Sequence, residues 1–441
     1  MSAKLKQIEE KVLDQVKPNA EKREEIERVS EELLEAIEEH LEPSEKPRLV
    51  GSVSKGTFLN DPDIDIFVKF PISTAKDEME KKILDLGEEI LEETEERYAE
   101  HPYIHGTFQG FKADIVPCYD IEEISQMKSA VDRTPFHTDY VGENLSSEQR
   151  DEAILLKAYL KGIDAYGAEA KVWGFSGYLC ELLILHYGSF ENVLKNAKDW
   201  RPKKILEMVE GERSFEDPLV VIDPVDPERN VASPVSLEKF ALFVLSSKMF
   251  LKEPKLRFFF PNGLEEKSAE TLSEILEERS TDLVGWRFPK PDIVQDNLYP
   301  QVQRCIKKFK QHLIRKDFEI LHSDYFVKDE VVLLIFEVEY AELSKIKKHR
   351  GPPVWIDNTE EFIAKYGEDA YLEGERSWVD RERKNSSVKD AMRQIMKEVD
   401  LGSAINPMLE EKGEFLADEQ WIEEEKRALN KFLDKKFPWE H

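Results

Sequence analysis

One short segment, residues 51–68, constrains the fold of this chain more than any other. It reads GSVSKGTFLNDPDIDIFV, in which a Gly-Ser pair follows a β-type run and two aspartates precede alternating apolar residues. Residues two apart on a strand point to the same face, so Asp63 and Asp65 are predicted to lie side by side. Ile64 and Ile66 then face a core. The segment therefore predicts a strand in a compact α/β sheet domain.

Strand-rich and helical stretches alternate along the 441 residues. Apolar residues recur at helical spacing up to about residue 42, β-rich runs follow between about 47 and 120, and helices dominate from 146 to 252. This pattern predicts an α+β multidomain protein. The further predicted elements are a Glu-rich helix over 76–98, strands in KLRFFF (255–260) and LVGWRF (283–288), helices over 264–279 and 301–315, a hairpin-like pair over 318–341 and a mostly helical end over 380–441.

Net charge and cysteine content exclude several classes of protein. The formal net charge of −29 argues against binding nucleic acid or an anionic membrane through overall charge. The three cysteines, Cys118, Cys180 and Cys305, lack disulfide-framework or zinc-ligand spacing. The sequence contains neither a signal-peptide pattern nor an apolar run of the ~20 residues that span a bilayer. We expect a cytoplasmic protein without a membrane partner.

The two neighbouring aspartates predict a metal site. Adjacent carboxylates repel each other, and a divalent cation with oxygen ligands, Mg²⁺ above all, compensates for this repulsion. Asp114, alone in the strand GFKADIVPCY, is the candidate third acid of a two-metal site for nucleotidyl transfer. The Gly-Ser turn lets backbone amides and the Ser52 hydroxyl approach a phosphate, and Lys55 adds positive charge. The alternative interpretation is an acidic loop that leads into a strand.

The pattern G-S-x-x-[KR]-G-T-x-L followed by D-I-D resembles the signature of the DNA polymerase beta nucleotidyltransferase superfamily. Further segments are similar to the archaeal-type (class I) CCA-adding tRNA nucleotidyltransferases: AEHPYIHGTFQGFKADIVPCY, KSAVDRTPFH, YGAEAKVWGFSGYLCELLILHYGSF, VVIDPVDPERNVA and KPDIVQDNLYPQ. The likeness spans most of the chain and is weakest over 320–441.

The resemblance implies an activity and an architecture. The activity is template-independent addition of C, C and A to the 3′ end of tRNA, including repair of incomplete ends, from CTP and ATP with release of pyrophosphate. The architecture is a nucleotidyltransferase head with a small mixed sheet, a helical neck, an α/β body and a tail, in a homodimer. The corresponding stretches are 1–145 for the head, 146–255 for the neck, 256–316 with 385–441 for the body and 317–384 for the tRNA-binding tail.

The resemblance also assigns roles to particular residues. The catalytic and metal-binding acids are Asp63, Asp65 and Asp114, with Asp63 the shorter counterpart of a common Glu. The residues implied to bind ATP and CTP are Ser52, Lys55, His137, Lys157, Tyr166 and Arg229. Lys55 stands where relatives often have Arg, so it keeps the charge but loses the two-pronged phosphate geometry. Arg229, with a nearby acid, is expected to contact the base.

Each of these nucleotide-site positions also has a structural interpretation. His137 fits a surface loop, Lys157 a solvated or snorkelling position on an amphipathic helix, and Tyr166 ordinary packing. Arg229 fits a salt bridge with Asp223 or Asp226.

Three basic runs suggest how an acidic chain holds RNA: 195–204, 304–316 and 345–353. The candidate RNA-binding residues are Lys307, Lys308, Lys347, Lys348 and Arg350. Segregation of these charges onto one track predicts recognition of the tRNA acceptor stem by shape and backbone, with strong salt dependence. Solvated helix faces are the alternative for each run.

Two other functions stay open at this point. One is the same chemistry on another acceptor, as in a poly(A)- or U-adding polymerase or a small-molecule nucleotidyltransferase, against which RTPFH and VDPERNVA argue. The other is an RNA-binding protein on an inactive nucleotidyltransferase scaffold, against which the three aspartates argue.

Overall fold

The computed structural model describes residues 2–98, 100–210, 214–328 and 330–441. The chain forms two compact units, Met1–Gly263 with Lys436–His441, and Leu264–Lys435. Each unit contains strands, helices and its own buried apolar clusters. The prediction of an α+β multidomain fold is therefore confirmed. Of the helices in the described ranges, none is long and apolar enough to cross a lipid bilayer.

The first unit begins with helices, continues with a sheet and returns to helices. Its elements are α1 (Ser2–Val16), α2 (Ala20–Glu38), β1 (Lys46–Val50), α3 (Gly51–Lys55), β2 (Ile64–Phe70), α4 (Lys76–Ile90), β3 (Glu92–Tyr98), β4 (Pro102–Phe108), β5 (Phe111–Tyr119), α5 (Thr134–Asn144), α6 (Ser147–Gly162), α7 (Gly177–Tyr187), α8 (Phe190–Ala197), β6 (Lys204–Leu206), β7 (Leu219–Val221) and α9 (Leu237–Lys252).

A five-stranded mixed sheet forms the centre of the first 120 residues, in the order β1-β2-β5-β4-β3. Strands β2 and β5 run parallel, and the other pairs are antiparallel. Ile64, Ile66 and Val68 on β2 are fully buried against α2 and α4, as the alternating pattern predicts. The antiparallel β4–β5 hairpin turns through Gln109 and Gly110, both with positive φ.

The Glu-rich helix predicted over 76–98 is wrong in its second half. Helix α4 ends at Ile90, and the chain continues as β3, an edge strand of the sheet. Pairing with β4 overrides the helical preference of the glutamates, and their charges protect the open edge from further strand pairing.

Helices α6 to α9 pack around an aromatic cluster centred on Tyr159, which is fully buried. The strand predicted in KLRFFF is wrong: Leu256–Phe258 is a 3₁₀ turn, and Phe258 and Phe259 pack on Tyr159. Short apolar runs do not distinguish strand from buried turn by periodicity. Ser236 caps α9, accepting a hydrogen bond from the Lys239 amide.

In the described residues, the second unit combines two sheets with seven helices. Its elements are α10 (Ala269–Arg279), β8 (Asp282–Pro289), α11 (Gln295–Arg315), β9 (Ile320–Val327), β10 (Val331–Val338), β11 (Ile346–Pro353), α12 (Asn358–Tyr366), β12 (Ala370–Glu373), β13 (Arg376–Glu382), α13 (Val388–Glu398), α14 (Ile405–Lys412), β14 (Glu414–Ala417), α15 (Glu419–Glu424) and α16 (Lys426–Leu433).

The predicted hairpin and the LVGWRF strand both lie in one sheet, in the order β14-β8-β10-β9. The helix predicted over 264–279 begins later, at Ala269 after the cap Ser268, and the helix predicted over 301–315 begins earlier, at Gln295. Helix α11 continues through Pro300 because Leu298 and Val302 bury its first turns against the sheet. Ile306, Phe309 and Leu313 form its buried face, as predicted.

A second sheet, β11-β13-β12, contains the basic run 345–353. Ile346–Pro353 in that run is a strand, paired antiparallel with β13. Helix α12 packs on one face, where Phe362 and Tyr366 contact His349. The end of the chain is mostly helical, as predicted, apart from the short strand β14.

Candidate active site

A tight turn joins β1 to α3 and lies directly against Asp65. Gly51 has φ +69°, and a Cβ built on it would overlap Oδ2 of Asp65 and lie 2.9 Å from its Cγ. Only glycine fits here, because both the backbone conformation and the space exclude a side chain. Helix α3 begins at Gly51 and ends at Lys55, so the helical turn lies before Gly56.

The register of the sheet brings two of the three predicted acids together. Asp65 on β2 is the direct neighbour of Asp114 on β5, and both side chains are half-buried. Asp63 is exposed and lies just before β2, which begins at Ile64, so it does not share the strand as predicted.

Burial and like charge shift the pKa values of this pair. Burial, followed by the charges of Asp114 and Asp63, raises the pKa of Asp65 to about 7. Burial also raises the pKa of Asp114, although a hydrogen bond with His105 opposes this shift. The protein therefore holds two neighbouring carboxyl groups in a place where burial and mutual repulsion disfavour their charged forms.

His105 is a site residue that the sequence reasoning missed. It lies opposite Asp114 on β4, with its Nδ1 2.6 Å from Asp114 Oδ1. The signal was available in the sequence: once Gln109–Gly110 is identified as the hairpin turn, counting back pairs position 105 with position 114.

A buried polar network links the turn to the helices. Lys55 Nζ donates to Glu181 Oε2 at 2.6 Å, and Lys157 Nζ donates to Glu181 Oε1 at 2.8 Å. The Thr57 hydroxyl donates to the same Oε1 at 2.5 Å and accepts from Lys157 at 2.9 Å. Burial alone would raise the pKa of Glu181, but the two lysines outweigh it and lower the pKa. Lys157 is only 2% exposed, so the solvated interpretation of this lysine is wrong.

The remaining predicted residues surround this network. Ser52 is half-buried on α3. Tyr166 is half-buried as well, and its hydroxyl lies beside the first residue of α7, where a Cβ on Gly177 would be 3.1 Å from it. The same Cβ would lie 3.6 Å from Lys157 Nζ, so the tyrosine and the lysine meet at the start of α7.

A second cluster forms around Asp223, which is fully buried. His137 Nε2 and Arg229 Nη1 each lie 2.9 Å from Asp223 Oδ2, and the Tyr178 hydroxyl donates to Oδ1 at 2.9 Å. The His137 and Tyr178 rings stack with centroids 4.0 Å apart. Arg229 thus forms the salt bridge with Asp223 that the structural interpretation proposed.

The protonation states of this cluster follow from its contacts. Burial on its own would raise the pKa of Asp223, but hydrogen bonds from His137, the Val225 amide and Arg229 lower it to about 2. Burial lowers the pKa of His137, and the charges of Arg229 and Lys55 add to this effect. Lys55 Nζ lies 5.8 Å from the Tyr178 ring centroid, so the Asp223 cluster adjoins the Glu181 network.

The candidate RNA-binding residues lie in the second unit, on α11 and β11. Three of them already contact other groups of the chain: Lys308 pairs with Asp400 at 3.5 Å, Lys347 with Asp317 at 3.0 Å, and Lys348 with Glu373. Lys348 also lies 4.7 Å from the centroid of the Trp378 ring. Lys307 and Arg350 are exposed.

Family descriptions match three consecutive parts of the chain. A nucleotidyltransferase domain matches residues 30–137, the second domain of tRNA nucleotidyltransferases matches 151–260, and the C-terminal domain of CCA-adding enzymes matches 279–429. Together with the paired aspartates beside the Gly-Ser turn, these matches define the chain as a nucleotidyltransferase.

Curated relatives narrow this class to a family. The CCA-adding enzyme of Methanothermobacter thermautotrophicus is 38% identical over 401 residues, 88% of each chain. That of Archaeoglobus fulgidus is 38% identical over 393 residues, 88% of this chain and 89% of the relative. That of Methanocaldococcus jannaschii is 37% identical over 432 residues, 91% of this chain and 94% of the relative. The chain belongs to the family of CCA-adding enzymes, which confirms the resemblance.

Proposed function

We propose that this protein adds C, C and A to the 3′ end of tRNA from CTP and ATP, releasing pyrophosphate, and repairs incomplete CCA ends. The observation that carries the proposal is the pairing of Asp65 and Asp114 against the Gly51 turn, in a chain of the CCA-adding family. No nucleic-acid template is required if the growing 3′ end and the side chains around it shape the nucleotide pocket.

The acids fit a Mg²⁺ site. Asp65 and Asp114 offer hard oxygen ligands on adjacent strands, and burial together with the charges of Asp114 and Asp63 raises the pKa of Asp65. In the described residues no three His, Cys, Asp or Glu side chains already surround a metal position. Mg²⁺ suits such a site, because it commonly uses one or two carboxylates and completes its shell with water and substrate phosphates. Asp63, exposed beside them, is proposed as the third ligand.

When bound, Mg²⁺ favours the ionised 3′-hydroxyl of the acceptor and neutralises the departing pyrophosphate. The protein's part is positioning. His105 orients Asp114 through its 2.6 Å contact, and the Gly51 turn lies directly against Asp65. The backbone amides of that turn and the Ser52 hydroxyl are proposed to bind the triphosphate. We propose that the triphosphate lies at the Gly51 turn, with its reacting phosphorus next to Asp65 and Asp114.

The nucleotide is proposed to lie between the two polar clusters. Lys55, Lys157 and Tyr166 are placed at the triphosphate, since all three meet near α3 and the start of α7. His137 and Arg229 are placed at the base, because Asp223 fixes both and leaves their other polar groups for recognition. Arg229 is our candidate for contacting the base edge.

The tRNA is proposed to contact the basic residues of the second unit, Lys307, Lys308, Lys347, Lys348 and Arg350. We assign the head to 1–145, the neck to 146–255, the body to 256–316 with 385–441 and the tail to 317–384. We also propose that the protein is a homodimer and that it works in the cytoplasm.

One experiment tests the activity. Purified protein with Mg²⁺ and labelled CTP or ATP is given three acceptors: tRNA lacking CCA, tRNA ending in CC, and an unrelated single-stranded RNA. We expect two C and one A on the first, one A on the second and none on the third, with all incorporation lost in Asp65→Ala. Runs of one nucleotide on any RNA would indicate a poly(A)- or U-adding polymerase. Binding of tRNA without incorporation would indicate an inactive scaffold.

A further inference from the structure

Glu181 stands out among the buried ionisable groups because the proposed mechanism gives it no role. It is fully buried on α7, yet it contacts two lysines that come from different parts of the chain. A buried carboxylate that loses its hydration must be paired, and here both of its oxygens are. Its two partners are the two lysines placed at the nucleotide triphosphate.

The two oxygens of Glu181 have different environments. Oε1 receives hydrogen bonds from Lys157 and Thr57, and the three acceptors of Lys157 Nζ are Glu181 Oε1, Thr57 Oγ1 and the Thr57 carbonyl oxygen at 3.0 Å. An ammonium has three N–H donors, and each of those of Lys157 has an acceptor here, so Lys157 acts on a triphosphate through its charge and not through a direct hydrogen bond. Among the described residues, Lys55 is the one hydrogen-bond partner of Oε2. Oε1 of Glu181 is thus fixed by two groups, whereas Oε2 binds the single cation Lys55.

We propose that Glu181 is a positioning residue of the nucleotide site, which holds Lys55 beside Asp65 and the start of α7 until a triphosphate replaces the carboxylate as its partner. Thr57 and Lys157 keep Glu181 in place from the other side. The proposal rests on the proposed function in one respect, the placement of the triphosphate at Lys55.

Charge and geometry favour this role over a purely structural one. A structural pair needs one cation per carboxylate, whereas this network carries two ammonium groups on one carboxylate and so keeps an excess positive charge in a buried place. Such an excess attracts an anion. Lys55 is the cation with the fewer hydrogen bonds, and the Tyr178 ring of the Asp223 cluster lies near it.

The test compares nucleotide and tRNA kinetics in matched variants. Glu181→Gln keeps the size of the side chain and removes its charge, and we expect KM for CTP and ATP to rise about 10- to 100-fold, as for loss of one charged hydrogen bond. KM for tRNA should not change. The control is Glu337→Gln, which removes another fully buried carboxylate, one held by Arg279 and Thr281 in the second unit. It should lower stability and leave every KM unchanged.

A second pair of variants decides the question if Glu181→Gln does not fold. Thr57→Val removes the hydroxyl that braces Glu181 while keeping the shape, and Thr57→Ser keeps the hydroxyl. We expect the valine variant to raise the nucleotide KM about 3- to 10-fold, a smaller rise than for Glu181→Gln because the carboxylate and both lysines remain, and the serine variant to match the wild type.

Two results would overturn the proposal. One is an unchanged nucleotide KM in both Glu181→Gln and Thr57→Val. The other is an equal rise of the nucleotide and tRNA KM values. Titration of the same variants with CTP and Mg²⁺ in the absence of tRNA separates this proposal from the proposed function. If the wild type binds CTP but adds no nucleotides to tRNA, the proposed function fails while the effect of Glu181 on CTP affinity is still measured.

Discussion

Replacement of Gly51 by alanine tests whether catalysis requires the close approach of the turn to the Asp65 carboxylate. The new methyl group would overlap the Asp65 carboxylate and would also occupy a residue with φ +69°. Asp65 has little room to retreat, because its backbone is paired with Val50 on one side and with Asp114 on the other. We therefore expect the carboxylate to be displaced.

The substitution should lower both the free energy of unfolding and kcat, and each effect is measured separately. The left-handed conformation costs about 1–2 kcal/mol for a residue with a Cβ, which lowers the free energy of unfolding. A displacement of a reacting group by about 1 Å costs about 100-fold in rate, so kcat for C addition should fall at least that far. Denaturant unfolding measures the first cost, and single-turnover incorporation of labelled CTP measures the second.

Gly110→Ala supplies the matched control. Gly110 has φ +81° in the β4–β5 turn, and nothing lies within 4 Å of a Cβ built on it. This variant should lose about 1–2 kcal/mol of stability with normal kcat. If Gly51→Ala keeps kcat within a few-fold of Gly110→Ala, the contact between the turn and Asp65 does not matter for catalysis and the reasoning is refuted.

Three further predictions concern pH and salt. Burial and neighbouring glutamates raise the pKa of Glu9 from 4.5 to about 7, so its stabilising proton is present below pH 4.5 and lost as the pH rises through 7. Glu9→Gln should stabilise the protein by about 1 kcal/mol at pH 8, after allowance for partial exposure, and not at pH 4.5, whereas Glu27→Gln, exposed on α2, should be inert at both. Asp223→Asn should lower the free energy of unfolding by about 2 kcal/mol at pH 7. The difference shrinks as the pH falls below about 4, where this carboxylate protonates in the unfolded chain, and is lost as the pH falls through about 2, its pKa in the folded protein. Lys307→Ala and Arg350→Ala should each reduce the salt dependence of tRNA affinity, lowering the slope of log K against log salt by about 0.7–0.9. An unchanged slope would show that the substituted residue does not contact an RNA phosphate.

Local sequence patterns predicted the two strands that carry Asp65 and Asp114. They did not predict that these strands are neighbours, because strand pairing depends on long-range contacts. The alternation around Asp65 and the apolar strand around Asp114 gave both elements correctly, but their adjacency depends on a parallel pairing that no local pattern specifies. Strand β3 was missed because its glutamates favour a helix until β4 pairs with them.

The predicted site residues fall into two groups for a similar reason. Those in recognisable motifs were found, and the structure places Lys55 with Lys157 and His137 with Arg229. The acid that connects the first pair was missed: Glu181 lies in GYLCELLILHY, a segment that reads as an apolar helix. A single charged residue in such a run gives no indication of its partners, which arrive from α3 and α6.

The arrangement of the sheet also sets the order in which this active site can assemble during folding. The β4–β5 hairpin is local and brings His105 to Asp114 early, whereas β2 is separated from β5 by one helix and two strands. Docking of β2 is therefore the late, non-local step, and it is the step that moves the Asp65 carboxylate next to that of Asp114. In the absence of a cation the native topology is completed against electrostatic repulsion, so the apolar contacts of Ile64, Ile66 and Val68 must supply the driving force that closes the sheet.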